Sequence, residues 1–125
     1  MLEFMPDPDV EKLAIALTAF ANTAGGTIVV GMDEHGRVSP DVYEDIHPLF
    51  ARALQRCWPL FQPPDLPQVR TEETPHGTVA TVVVQPVGYQ VAVDGRQAYV
   101  RSGHSSLPIP TGQPRAARVG GPLSW

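Results

Sequence analysis

Cysteine, lysine and long apolar stretches are all scarce in this chain of 125 residues. The lone cysteine, Cys57, has no internal partner for a disulfide and cannot supply a zinc cluster. A reducing cytoplasm is therefore the expected compartment. No run of about 18 apolar residues occurs, so no membrane-spanning helix is expected. The opening residues MLEFMPDPDV place no basic segment ahead of an apolar one, and a secretory leader is not expected either. Lys12 is the only lysine, and no GxxxxGK followed by Ser or Thr is present, which argues against P-loop nucleotide hydrolysis. Positive charge is also in short supply: the net charge is −4 and the pI is 5.4. That balance disfavours general coating of nucleic acid, where neutralising phosphates and releasing counterions supplies most of the binding.

What the chain does have is proline, 14 residues, and glycine, 11 residues, which together imply short elements joined by fixed turns. Its length suits one domain with one core. Acids crowd the first half, whereas after Glu73 the only acid is Asp94, set against Arg96, Arg101, Arg115 and Arg118. A locally basic carboxyl-terminal part can act where the average charge does not. Residues 2–5 read as an edge strand. Asp7-Pro8 reads as a helix start, with Asp7 as N-cap, and Val10, Leu13, Ala14, Leu17, Phe20 and Ala21 form one apolar stripe at helical spacing. Gly25-Gly26 stops that helix as a C-cap, because glycine accepts the left-handed conformation. The β-branched run from Thr27 to Met32 is apolar throughout and reads as a central strand. A turn at 33–36 and a short return at Arg37-Val38 follow. Ser39-Pro40 opens a helical region that Pro48 breaks, leaving a main helix from about 48 to 58, with Ile46, Phe50, Ala53, Leu54 and Cys57 toward the core. Residues 59–67 form a proline-rich connector. Two hairpins are expected: 69–73 with 78–85, and 91–93 with 98–101 around Asp94-Gly95-Arg96-Gln97. Residues 109–125, rich in Pro, Gly and Arg, are expected to be a flexible tail. The expected fold is a single α/β (α+β) domain over 1–108: a mixed, largely antiparallel sheet with two main helices packed on one face.

Three blocks in fixed order resemble the Schlafen AlbA-type nucleic-acid-binding family. Phe20-Ala21-Asn22-Thr23-Ala24-Gly25-Gly26-Thr27-Ile28-Val29-Val30-Gly31 is similar to the family's helix–Asn–Gly-Gly–strand core, and an acidic turn with Gly36 follows it. Tyr99-Val100-Arg101-Ser102-Gly103-His104-Ser105-Ser106 looks like the family's late strand ending in Arg-x-Gly-x-Ser. Glu3-Phe4 is similar to its opening Glu-Phe-Lys strand, although Met5 stands where the lysine would be. The joint order is far more specific than any one block. Neither an acid upstream of Glu3 nor the helix-turn-helix regions often attached in the family are matched, so a minimal stand-alone version is expected if the chain is complete.

The resemblance implies nucleic-acid binding, DNA or RNA. The best candidate from the residues is the strand-end loop: the Arg101 guanidinium for phosphate, Ser102, Ser105 and Ser106 as further donors, and His104 beside them. The competing reading is an ordinary serine-capped loop with Arg101 paired to Asp33 or Glu34. Arg37 would extend the basic surface. Asn22 would either cap the helix end and pin the next loop, the favoured role, or join the binding site. Tyr89, Tyr99 and Phe61 suit packing better than base stacking. Arg52 and Arg56 suit a solvated helix face, and Arg115 and Arg118 would add phosphate attraction from the tail. The nuclease alternative, also implied by the resemblance, is metal-dependent RNA cleavage with Glu3 and Asp33 on a magnesium or manganese ion and Glu34 as a possible third acid. A third reading is a protein-interaction module that has lost nucleic-acid affinity, which the acidity favours. A homodimer is compatible with a small sheet domain.

Overall fold

A computed structural model describes residues 1–39 and 46–110. The first strand, β1 (Leu2–Met5), runs parallel to β2 (Gly26–Val30), with the helix α1 (Val10–Ala21) as the crossover. A parallel pair needs such a connection, since no tight turn can join two strands pointing the same way. The helix starts later than the Asp7-Pro8 reading places it. Asp9 is the N-cap, its Oδ1 accepting from the Lys12 N–H at 2.7 Å, while Asp7 lends its carbonyl to Lys12 Nζ. Asp9 stands three residues before a free N–H, and Pro8 then holds the approach rather than the first turn.

The second helix, α2 (His47–Gln55), begins with Pro48 inside its first turn, where the missing N–H costs nothing. It stops short of the expected end. Cys57 and Trp58 form a short strand, β3 (Cys57–Trp58), so Cys57 is buried as expected but is not helical. The start of the expected helical region, 40–45, lies outside the described residues. Both expected hairpins are present. β4 (Gln68–Thr74) pairs with β5 (Gly77–Val84), and β6 (Ala92–Val93) pairs with β7 (Gln97–Ser102). In the second, Asp94 (φ 55°) and Gly95 (φ 69°), the central residues of a turn closed by the Arg96 N–H on the Val93 carbonyl, both adopt the left-handed conformation such a turn requires. Besides β3, a second strand was not anticipated. β8 (Ser105–Pro108) folds back on β7, pairing Arg101 with Ser106 and Ser102 with Ser105. Ile109 continues the contact by donating its N–H to the Ala98 carbonyl.

The α+β class, the two helices and the largely antiparallel pairing are as expected. The strands divide, however, between two four-stranded sheets, β1-β2-β5-β4 and β3-β6-β7-β8. Helix α1 packs on α2 and on strands of both sheets. This position explains why its burial exceeds a single stripe: Leu13, Ala14, Ala16, Leu17, Thr18, Ala19, Phe20 and Ala21 are all inaccessible. A helix with apolar neighbours on several sides needs small residues where backbones approach, and four of those eight are alanines. Ile28, Val30, Val82 and Val84 of the first sheet, Val93 of the second and Val91 just before β6 share one core cluster with it. Truncating Leu17 to Ala in such a site costs about 2–5 kcal/mol.

Candidate functional site

The segment Phe20–Gly26 is where the resemblance is densest, and its chemistry here is structural. Asn22 is buried. Its Nδ2 donates to the carbonyls of Val91 (2.7 Å) and Tyr99 (2.8 Å), and its Oδ1 accepts the Val91 N–H at 2.8 Å. Thr23 Oγ1 donates to the Ala19 carbonyl and accepts the Arg101 N–H, both at 2.8 Å. The end of α1 is thus bolted to β7 and to the residue before β6. Of the two roles read for Asn22, the pinning one is what the geometry provides; enclosed in this way, it has no face for a nucleic acid. Gly25 (φ +74°) donates to the Phe20 carbonyl, as a helix stop requires. Gly26 is glycine for another reason: a Cβ there would lie 2.6 Å from the Phe20 ring. The Gly-Gly pair serves close packing and supplies no phosphate cradle.

Arg101 follows from this anchoring. Its side chain is only 2% exposed, and it forms an ion pair through Nη1 with Glu3 on β1. Nη1 also donates to Ser106 Oγ (3.1 Å) and Nε to the Gly103 carbonyl (3.2 Å). The guanidinium carbon stands 4.8 Å from the centroid of the Phe20 ring, a cation–π arrangement. The sequence reading offered two fates for Arg101: phosphate ligand, or partner of Asp33 or Glu34. Its ion-pair partner is Glu3, from the other sheet. An enclosed, paired guanidinium of this kind braces the β7–β8 turn from inside rather than presenting a charge to solvent.

The turn so braced exposes Ser102, Gly103, His104 and Ser105, while Ser106 is half-buried by its bond to Arg101. Beside it lies an open cleft of about 540 Å³ lined by Leu2, Glu3, Phe4, Pro6, Asp33, Glu34, His35, Arg101 and His104. A smaller cleft of about 180 Å³ continues past the same Glu3, Arg101 and His104 to Lys12, Ile15, Ala16 and Ser106. The opposite rim of the larger cleft is the turn after β2. There Asp33 Oδ1 accepts the N–H groups of His35 (2.8 Å) and Arg37 (2.9 Å), chiefly the latter holding the carboxyl below its ordinary range. Glu34 and His35 are exposed, their side chains 3.9 Å apart. Arg37 is exposed too, but it does not line the cleft; His35 does. Sequence reasoning passed over Lys12, Thr23 and His35. A helical periodicity hides Lys12 among core positions, and nothing local marks Thr23 as a receptor for a strand 78 residues away.

The remaining cations are engaged elsewhere or face solvent. Arg56 bonds both oxygens of Asp94 (2.7 and 2.9 Å) and Glu11 (2.8 Å), which raises its pKa and lowers that of Asp94. Arg52 is exposed on α2, as read. Phe61 is buried, and Tyr89 and Tyr99 are half-buried against the core, so all three pack. Arg115 and Arg118 lie outside the described residues.

The cleft gathers Glu3, Asp33 and Glu34, the acids of the nuclease alternative. Their fit to a divalent ion is poor. The Glu3 carboxylate is held by Arg101, Asp33 Oδ1 already accepts two backbone N–H groups, and among the described residues no group of three or more His, Cys, Asp or Glu side chains could hold a metal. None of the helices is long and apolar enough to cross a membrane, among the described residues.

A search of the solved structures returns the DIP2311 protein from Corynebacterium diphtheriae, with a TM-score of 0.66 and 22% identity over 86% of this chain. That likeness is one of fold, and this chain spans only 22% of that protein. No curated protein matches the chain. The profile of the family described as Schlafen, AlbA_2 matches residues 3–110, from the glutamate of β1 to the second residue after β8, and the chain belongs to that family.

Proposed function

We propose that the domain binds nucleic acid, DNA or RNA, along the rim formed by the β7–β8 turn, chiefly through phosphate and sugar. The observation that carries this reading is the braced turn. An enclosed guanidinium fixes a hairpin whose exposed part is Ser102, Gly103, His104 and Ser105, with Lys12 on the adjoining groove. Hydroxyls, a glycine that lets backbone approach closely, and one flanking ammonium make a donor surface suited to phosphate oxygens. Membership of a family associated with nucleic acid supports the same reading. In this version of the site Ser102, His104 and Ser105 make contact, Lys12 joins them, and Arg101 positions the turn. Arg37 remains on the outer side of the opposite rim as a longer-range attraction.

With so few free cations, the salt dependence is shallow. Single-stranded binding weakens with a log–log slope of about −0.7 per neutralised phosphate, so roughly −0.7 to −1.4 for the one or two phosphates Lys12 and Arg37 can reach. Titrating labelled single-stranded RNA and DNA against Lys12→Glu/His104→Glu, with folding checked by circular dichroism, tests the site. Loss of binding is expected. Unchanged affinity in the folded variant rejects it, and the absence of binding by the unaltered chain at low salt, alongside co-purification with a protein, favours the interaction-module reading. Incubation with magnesium or manganese is expected to leave the RNA intact.

A further inference from the structure

The larger cleft is poorly suited to phosphate, yet it opens directly beside the turn that is suited to it. Its walls combine two kinds of surface. Leu2, Phe4 and Pro6 are apolar, and Leu2 is 46% exposed at the edge of the first sheet. Glu3, Asp33 and Glu34 are hydrogen-bond acceptors with negative charge. A phosphate entering between three carboxylates would be repelled, whereas a flat, neutral group carrying N–H donors is matched on both counts.

A second observation, independent of the acids, points the same way. The Arg101 side chain is 2% exposed and lines both clefts. Its bonds to protein run through Nε and Nη1, and among the described residues Nη2 has no hydrogen-bond partner. That leaves Nη2 as the guanidinium nitrogen without a protein partner among the described residues, a donor that a ligand carbonyl or ring nitrogen can match. Glu3 and Arg101 thus set an acceptor and a donor side by side. The pairing edge of a nucleobase carries the complementary pair, an N–H next to a carbonyl or ring nitrogen, and that edge is free only when the base is unpaired.

We infer that the cleft between the 33–36 turn and the β7–β8 turn receives one unpaired nucleobase, so that the domain prefers single-stranded to duplex nucleic acid. This rests on the nucleic-acid reading above and extends it from the backbone to the base. The base lies against Leu2, Phe4 and Pro6, its pairing edge meets Glu3, Arg101 and Glu34, and its phosphate stays outside near Ser102, His104 and Lys12. The volume of about 540 Å³ falls within the ordinary range for small-ligand sites.

The test is fluorescence anisotropy of the full chain with short labelled oligonucleotides, single-stranded or annealed, at equal salt. A parallel titration uses a strand carrying 2-aminopurine, whose emission changes when the base leaves its stack. Single strands are expected to bind about tenfold more tightly than duplexes of the same sequence, the scale of one base's stacking contacts. Glu34→Gln, on an exposed turn that tolerates it, should remove most of that preference. Lys12→Ala should weaken both forms alike. Equal affinity for single strand and duplex, with salt dependence preserved and 2-aminopurine emission unmoved, overturns the base cleft while leaving backbone binding in place. No binding to either form at low salt overturns the proposed function and this inference together.

Discussion

Removing the Glu3 carboxylate should destabilise the domain far more than its place near the chain start suggests. In Glu3→Ala the Arg101 guanidinium, with its side chain 2% exposed, keeps its charge but loses its counter-ion. Breaking a buried pair in this way costs about 3–5 kcal/mol, because an uncompensated charge stays behind in a poorly solvated place. The Glu3 side chain is 25% exposed, so water partly replaces it and the lower end, about 3 kcal/mol, is the appropriate figure. At about 4 °C per kcal/mol for a domain of this size, the melting temperature should fall by roughly 12 °C. The Glu3→Ala/Arg101→Met double variant removes both charges and retains an apolar stem against Phe20. It should recover most of the loss, since replacing a buried pair by apolar groups is often neutral. Thermal unfolding by circular dichroism of the four proteins closes the cycle. A drop of less than about 3 °C in Glu3→Ala, or a double variant no better than the single, would refute the claim that the pair is desolvated. The same arithmetic makes Glu3→Ala a poor probe of catalysis, because lost activity would report lost fold. Asp33→Asn and Glu34→Gln, on the exposed turn, are the cleaner substitutions.

Three further outcomes are expected. Asn22→Ala leaves the Val91 N–H and the Val91 and Tyr99 carbonyls without their partner inside the protein, and should lower stability by about 2–4 kcal/mol in urea unfolding, at about 1–3 kcal/mol per stranded group with some relaxation; a loss under 0.5 kcal/mol would contradict the bolt. Burial pushes the Cys57 thiol up to about 11, so a disulfide reagent at pH 8 should leave the native chain unlabelled and label it at once in denaturant. Rapid native labelling would mean that the core around Thr18 and Ala53 opens. Asp94, through Arg56, and Asp33, through the N–H of Arg37, have pKa values below the ordinary 3.8, so the stability they add is complete above that value and lost as pH falls through their folded values. Urea midpoints should therefore be level down to about pH 5 and decline below pH 4, less so in Asp94→Asn; a flat profile to pH 2.5 would count against both interactions.

How much of this was readable in the sequence depends on the distance over which each residue acts. The helix α1, the central strand β2 and both glycine-centred hairpins are written in local periodicity and turn chemistry, and they stand where those signals put them. The N-cap differs by two residues because two aspartates compete within one short stretch and only three-dimensional approach decides which meets the Lys12 N–H. Strand β8 escaped because Ser105-Ser106-Leu107-Pro108 has no alternation and ends in proline; the residues it faces across the ladder, not its own composition, make it a strand. The same limit governs the site. The order of blocks pointed to the β7–β8 turn, but the fate of Arg101 is settled by Glu3, 98 positions away, through a contact no spacing rule could reveal. Asn22 and Thr23 show the converse: their polarity at a helix end was visible, and only the fold says that their partners belong to β7 and the approach to β6.

The two lips of the cleft belong to different sheets. One follows β2, the other joins β7 to β8, and Glu3–Arg101 is the ion pair that spans them among the described residues. Between them sits α1, touching both. The gap available to a guest is consequently written in the girth of that helix, in alanines that never meet the guest at all. Enlarging Ala19 by a methyl or two would act like a shim under a jaw, altering which occupants fit while every contacting group stays unchanged.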